Sequence, residues 1–97
     1  MKLGFIGTGK ISTAVVECLA LESYQIFISR RGSENSERLA KVYENVFSCS
    51  NQEVVNRSDV VFIGLTADKA EKVLRSLKFF KTQQIVYLET MNFNINF

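Results

Sequence analysis

The chain has 97 residues, 12 Lys+Arg against 10 Asp+Glu, no His, a formal charge of +2 and 46% apolar residues. Those figures describe one soluble domain with a modest core and no room for a second, substrate-binding domain. Without His the chain has neither Ser-His-Asp nor Cys-His catalysis and no His-ligated metal site; its interspersed charges give no broad basic footprint for nucleic acid.

Lys2 to Ile6 is a short apolar run ending in a glycine cluster, with Ile11, Ala14, Val15, Cys18 and Leu19 following at helical spacing. The reading is strand, tight turn, helix. Although the chain opens Met1-Lys2-Leu3, Gly4, Gly7 and Gly9 interrupt the apolar stretch, so it reads as a strand and not as a signal peptide. Tyr24 to Ser29 is a second strand, Arg30 to Ser33 a loop, and Glu34 to Tyr43 a helix with Leu39 and Val42 inward. Val46-Phe47 is a short strand, and Ser50-x-x-Glu53 matches a capping box that opens a helix through Asn56. Val60 to Ile63, apolar throughout, has the composition of a central strand covered on both faces. Asp68-x-x-Glu71 is a second capping signature, with Ala70, Val73, Leu74 and Leu77 at i, i+3, i+4 and i+7. Gln84 to Leu88 is a fifth strand; residues 89–97 show no clear period.

Strands alternating with helices over short connections predict an α/β, Rossmann-like, doubly wound parallel sheet of about five strands in the order 3-2-1-4-5. The longest apolar run, Val60 to Leu65, falls well short of the roughly 18 residues that a bilayer demands, so no membrane partner is expected. Cys18 and Cys49 lack CxxC spacing, which gives neither a disulfide framework nor a zinc site and fits a reducing cytoplasm. No metal ligand set and no catalytic acid emerge; Tyr24, Tyr43 and Tyr87 lie in or beside apolar periodic segments and read as packing residues.

Gly7-Thr8-Gly9-Lys10-Ile11-Ser12 stands between the first strand and the first helix, where a dinucleotide site requires it. The first glycine permits the tight turn, the second lets backbone approach a pyrophosphate, and a small third residue, here Ser12, allows close packing. Free N–H groups at the helix start would hold the phosphates without a basic side chain. The same turn could serve only to join strand to helix.

The second strand ends about 20 residues beyond the turn, where an acid would accept from the ribose 2′-OH of NAD. Ser29 stands there instead, followed by Arg30 and Arg31, a hydroxyl and two guanidinium groups suited to the 2′-phosphate of NADP. The plainer reading is a pair of solvated arginines. Asn51, just after the third strand, has two readings: a contact to the adenosine ribose or phosphate, or a helix start satisfying backbone donors. Gly64-Leu65-Thr66-Ala67 follows the fourth strand and either faces the switch-point crevice or is a plain loop.

Met1 to Ala14, Ser29-Arg30, Ser50-Asn51-Gln52-Glu53 and Ser58 to Ile63 together resemble the N-terminal domain of pyrroline-5-carboxylate reductase, with Gly4 to Ile11 the closest stretch. The resemblance implies an NADP(H)-binding Rossmann domain of an enzyme that reduces the imine of 1-pyrroline-5-carboxylate to proline. It carries cofactor contacts onto Ile6, Gly7, Thr8, Gly9, Lys10, Ile11, Ser29, Arg30, Asn51, Gly64, Leu65, Thr66 and Ala67; Arg31 is added from the residues alone. The family's Val-Lys-Pro after the fourth strand is replaced by Leu65-Thr66-Ala67, and its Ala-Gly loop after the fifth by Glu89-Thr90-Met91-Asn92. The family's helical C-terminal domain, which the resemblance makes the source of substrate binding, catalytic hydroxyls and oligomerisation, has no counterpart in residues 1–97. Expected, then, is the cofactor half of a cytoplasmic, homo-oligomeric enzyme, inactive alone. The rivals are a non-catalytic NADP-binding or sensing module and the cofactor domain of another NADP-dependent oxidoreductase.

Overall fold

In the computed structural model, residues 1–7, 9–30 and 34–88 are described. Five strands, β1 (Lys2–Ile6), β2 (Gln25–Ser29), β3 (Val46–Cys49), β4 (Val60–Ile63) and β5 (Gln84–Tyr87), alternate with four helices, α1 (Lys10–Leu19), α2 (Glu34–Val42), α3 (Asn51–Arg57) and α4 (Ala67–Ser76). All strand pairs are parallel, in the order β3-β2-β1-β4-β5, as the alternation predicts. Leu3 lies between Ile26 and Val60, and Phe5 between Ile28 and Phe62. This register brings the carboxyl ends of β1, β2 and β4 to one edge of the sheet, so Gly7, Arg30 and Gly64 emerge side by side.

Strand alternation divides the core into two layers. On one face Leu3, Phe5, Ile26, Ile28 and Val46 pack with Val16 of α1 and Leu39 of α2. On the other, Ile6, Phe27, Cys49, Val61 and Ile63 pack with Val54 and Val55 of α3 and Ala70 of α4. The sheet is therefore wound on both faces. Cover is complete on the α3/α4 side of β4, where Val61 and Ile63 are buried, but Val60 and Phe62 on the other side are only half-buried. Phe62 stacks on Phe5, ring centroids 4.6 Å apart and ring planes nearly parallel, where the expectation was full helix cover.

The helices keep their predicted places and turn their faces slightly. In α1 Ser12 and Val16 are buried while Ala14 and Cys18 are exposed, because the helix rolls its small motif residue Ser12 onto the sheet. At the end of α2 Val42 is exposed and Tyr43, the next residue, packs on the core, since i+4 from Leu39 meets the sheet where i+3 does not. Ser50 caps α3 as its capping box predicts, its hydroxyl accepting from Glu53 N at 3.3 Å. The reciprocal half differs: Glu53 Oε1 accepts from the Ser50 hydroxyl at 3.1 Å. Helix α4 starts ahead of the Asp68 signature, with Thr66 at its N-cap and Asp68 inside the first turn.

No helix among the described residues is long and apolar enough to cross a membrane, and no group of three or more His, Cys, Asp or Glu is placed to hold a metal among them.

Candidate functional site

The turn after β1 is built around Gly7, whose φ of 92° lies in the region that side-chain-bearing residues rarely adopt. A Cβ there would also stand 2.5 Å from the Gly64 carbonyl oxygen and 2.8 Å from Leu65 Cδ2, so the turn requires glycine on two counts. Gly9 is different. It is the N-cap of α1 with φ −72° and ψ −172°, an ordinary extended conformation, and a Cβ added to it would meet nothing within 4 Å. Nothing within the described fold demands glycine at this point.

The start of α1 is correspondingly bare. Among the described residues no side chain caps it, no acidic residue lies in its first turn, and Lys10, exposed at its first position, adds positive charge to the positive end of the helix dipole. Ile11 packs on the core, which leaves its backbone N–H as its contribution to this end. Open space over uncapped N–H groups fits the pyrophosphate of a dinucleotide, the group that the glycine spacing anticipates. Thr8 and Arg31 lie outside the described residues.

Ser12, the third small residue of the turn, is buried against Gly64, where any Cβ would collide with the Ser12 side chain. Gly64 N donates to Ile6 O at 2.8 Å, so β4 ends in register with β1 and its loop is drawn over the glycine turn. We expect Gly64→Ala to cost about 1–3 kcal/mol by overpacking. Adding Ser12→Gly should return part of that loss in urea unfolding. A double variant less stable than Gly64→Ala alone would refute the contact.

At the end of β2, Ser29 is buried and its hydroxyl donates a short hydrogen bond to Asn51 Oδ1. With Ser50 capping α3, the Asn51 side chain is directed to Ser29, which decides against its helix-capping alternative. With the Ser29 proton so engaged, the Asn51 amide N–H pair becomes the donor the two residues offer together; it has no partner among the described residues. Arg30 is exposed beyond them, fixed by its backbone N–H on Cys49 O at 3.0 Å. Cys49 lies beneath. Burial, and then the Glu53 charge, push its thiol up, so it remains a protonated packing group.

Across the glycine turn, Tyr87 donates its hydroxyl to Leu65 O at 3.0 Å and fixes the β4–α4 loop. Tyr87 also packs on the core, as do Tyr24 and Tyr43 on theirs, in keeping with their reading as packing residues. Thr66 Oγ1 donates to Asp68 Oδ1 at 2.9 Å, and this bond, with the backbone N–H groups of Asp68 and Lys69, holds the Asp68 carboxyl below its usual range. Ala67 is the first residue of α4. Gly64 and Leu65 thus abut the turn, while the Thr66 side chain serves α4.

A crevice of about 440 Å³ joins these parts. Ile6, Gly7, Ser29 and Asn51 form one wall, and Leu65, Lys69, Lys72 and Val73 the other. The last three were missed as site residues in the sequence. Their signal was present, positions i, i+3 and i+4 of α4, but Val73 read as part of the apolar face and the two lysines drew no reading. A further concavity of about 470 Å³, lined among others by Lys2, Arg57, Asp59 and Gln83 at the opposite edge of the sheet, contains none of the candidate residues.

The family model described as NADP oxidoreductase, coenzyme F420-dependent, matches residues 2–91. The chain belongs to this family. Its sheet and glycine turn are the family's NAD(P)-binding Rossmann domain. The chain is similar to 1-pyrroline-5-carboxylate reductase from Streptococcus pyogenes, with 29% identity and a TM-score of 0.74 over 91% of this chain and 33% of that one. It is also similar to an imine reductase from Myxococcus stipitatus in complex with NADP+, with 25% identity and a TM-score of 0.69 over 77% of this chain and 26% of that one. A variant of that imine reductase in complex with NAD+ shares the fold at 18% identity, with a TM-score of 0.74 over 98% of this chain and 37% of that one. The chain thus spans about a third or less of the length of the first two solved proteins. No curated protein matches it.

Proposed function

We propose that this chain is the NADP(H)-binding domain of an imine-reducing enzyme of the pyrroline-5-carboxylate reductase type, whose substrate is 1-pyrroline-5-carboxylate and whose product is proline. The observation that carries the reading is the pairing of an uncapped α1 N-terminus beneath Gly9 with a β2 end that offers Ser29, Asn51 and Arg30 in place of a carboxylate. The first would hold the pyrophosphate by backbone N–H groups, and the second the ribose 2′-phosphate. When bound, the nicotinamide supplies hydride; this chain's part is to fix the dinucleotide along the carboxyl edge of the sheet. Gly7, Gly9, Lys10 and Ile11 would line the phosphate end, with Thr8 between them; Ile6, Gly64, Leu65, Thr66 and Ala67 would carry it past β1 and β4.

The 29% identity to the S. pyogenes reductase supports the substrate class. The catalytic groups and the substrate site then belong to a helical C-terminal domain outside residues 1–97, through which the parent enzyme forms a homo-oligomer. The β5 edge supports this division: Ile85 and Val86 are 48% and 38% exposed, and Phe80 before them 52%. An apolar sheet edge of this kind ordinarily lies beneath a further element. The chain alone binds the cofactor without turnover and takes neither nucleic acid nor membrane as partner; its compartment is the cytoplasm.

Arg30→Ala tests the cofactor assignment. Loss of one charge-assisted contact to a 2′-phosphate should weaken NADPH about tenfold and NADH less than about twofold, read by calorimetric titration at one ionic strength. Equal losses for both dinucleotides would remove Arg30 from the phosphate site.

A further inference from the structure

We infer that Lys69 and Lys72 of α4 form a second cationic wall of the crevice and grip the 2′-phosphate from the side opposite Arg30. The inference rests on the dinucleotide reading above and adds to it a pair of specificity-determining residues from a different βα unit. Both lysines line the crevice that Ser29 and Asn51 close from the other side, so an anionic group entering there meets the Asn51 amide N–H pair, oriented by Ser29, and two ammonium groups. No carboxylate lines it.

The neighbouring acids are already engaged. Glu71 Oε1 accepts from Arg75 at 2.7 Å, Asp68 accepts from Thr66, and Glu53 accepts from Ser50 while facing Arg57 at 3.7 Å. Among the described residues neither Lys69 nor Lys72 enters an ion pair; Lys69 meets the Asp68 carboxylate through its backbone N–H, and its ammonium acts there only as a nearby charge. Two like charges one turn apart on one helix face repel each other, and an anion held between them relieves that repulsion. The pyrophosphate is provided for at α1, on the glycine side of the crevice. The 2′-phosphate, near the end of β2, is the anionic group left to face Ser29 and Asn51, and it carries up to two charges to be neutralised. Lysine suits this position, because a flexible stem with a point charge can follow a phosphate without the fixed geometry that a guanidinium imposes.

The test is titration of the chain with NADPH, NADH, 2′,5′-ADP and 5′-AMP at two salt concentrations, for the parent sequence, for Lys69→Gln/Lys72→Gln, and for Lys41→Gln as a charge control on α2. Both crevice lysines are exposed on the helix, so the double variant should fold, which circular dichroism confirms. We expect the double variant to weaken NADPH and 2′,5′-ADP about five- to tenfold, to change NADH and 5′-AMP less than about twofold, and to lessen the salt dependence of NADPH binding. Lys41→Gln should leave all four affinities unchanged. Unchanged NADPH affinity in the double variant, or equal losses for the ligands with and without a 2′-phosphate, would overturn the lysine wall while leaving the dinucleotide site standing. A folded parent chain that binds none of the four would overturn the dinucleotide reading and the wall with it.

Discussion

Gly9→Asp should leave the protein slightly more stable and abolish its nucleotide binding. Position 9 is an N-cap in extended conformation with no side-chain hydrogen bond and open space around a new Cβ, so the carboxylate can reach the free N–H groups of the first turn. Replacing glycine with aspartate at such a cap, ahead of a first turn without acids, stabilises the helix by about 0.5–1 kcal/mol. The same carboxylate occupies the donors that a pyrophosphate would use and places a negative charge where phosphate oxygens must come. Several charge-assisted bonds of about 1.5–3 kcal/mol each are forfeited, so the loss of NADPH affinity should be about a hundredfold or more. Urea unfolding and calorimetric titration on the same sample read the two effects with opposite signs. A variant that retains NADPH binding would show that α1 does not hold the phosphates.

Gly7→Ala should behave otherwise, losing stability and binding together. Its φ of 92° costs an L-residue about 1–2 kcal/mol, and the new Cβ, 2.5 Å from the Gly64 carbonyl oxygen, meets backbone that cannot rotate away. Together the two terms destabilise the fold by about 2–4 kcal/mol. Any relaxation moves the β4–α4 loop off the turn, displacing the crevice wall that Leu65 begins. The expected result is a lowered urea midpoint and NADPH binding weakened at least tenfold even where the variant is folded. A stability change below about 0.5 kcal/mol would mean that the turn does not have this geometry. The contrast separates two glycines of one motif: Gly7 is required by the chain itself, Gly9 only by what the chain would bind.

Much of this architecture was legible in the sequence because each strand and helix carries its own period. Lys2 to Ile6 and Val60 to Ile63 announce themselves as strands through local composition, and short connections with right-handed crossovers leave few topologies beyond 3-2-1-4-5. The Ser50 cap was readable for the same reason: donor and acceptor lie three residues apart. What local pattern could not decide was how each helix rolls on the sheet. Tyr43, just past α2, packs on the core where Val42 was expected, and Ser12 is buried where Ala14 was expected, because contacts such as the Gly64 approach fix the roll from outside the helix.

The glycine turn and the Ser29-Arg30 pair were legible as a candidate site because a spacing of about 20 residues ties them to one βαβ unit. The Ser29–Asn51 bond was not, since it joins the ends of two strands that only the β2–β3 pairing brings together. Lys69 and Lys72 were hidden further still. A helical period separates apolar from polar faces but says nothing of which polar residues border a crevice formed by another unit, and it is the position of α4 beside Gly7 that makes them wall residues.

The measurement that tests the central claim most directly is calorimetric titration of this chain with NADPH and with NADH at matched ionic strength. Saturable binding of one equivalent, with NADPH at least several-fold tighter, is the result this account predicts. A folded sample that binds neither dinucleotide, or that binds NADH as tightly as NADPH, would contradict it.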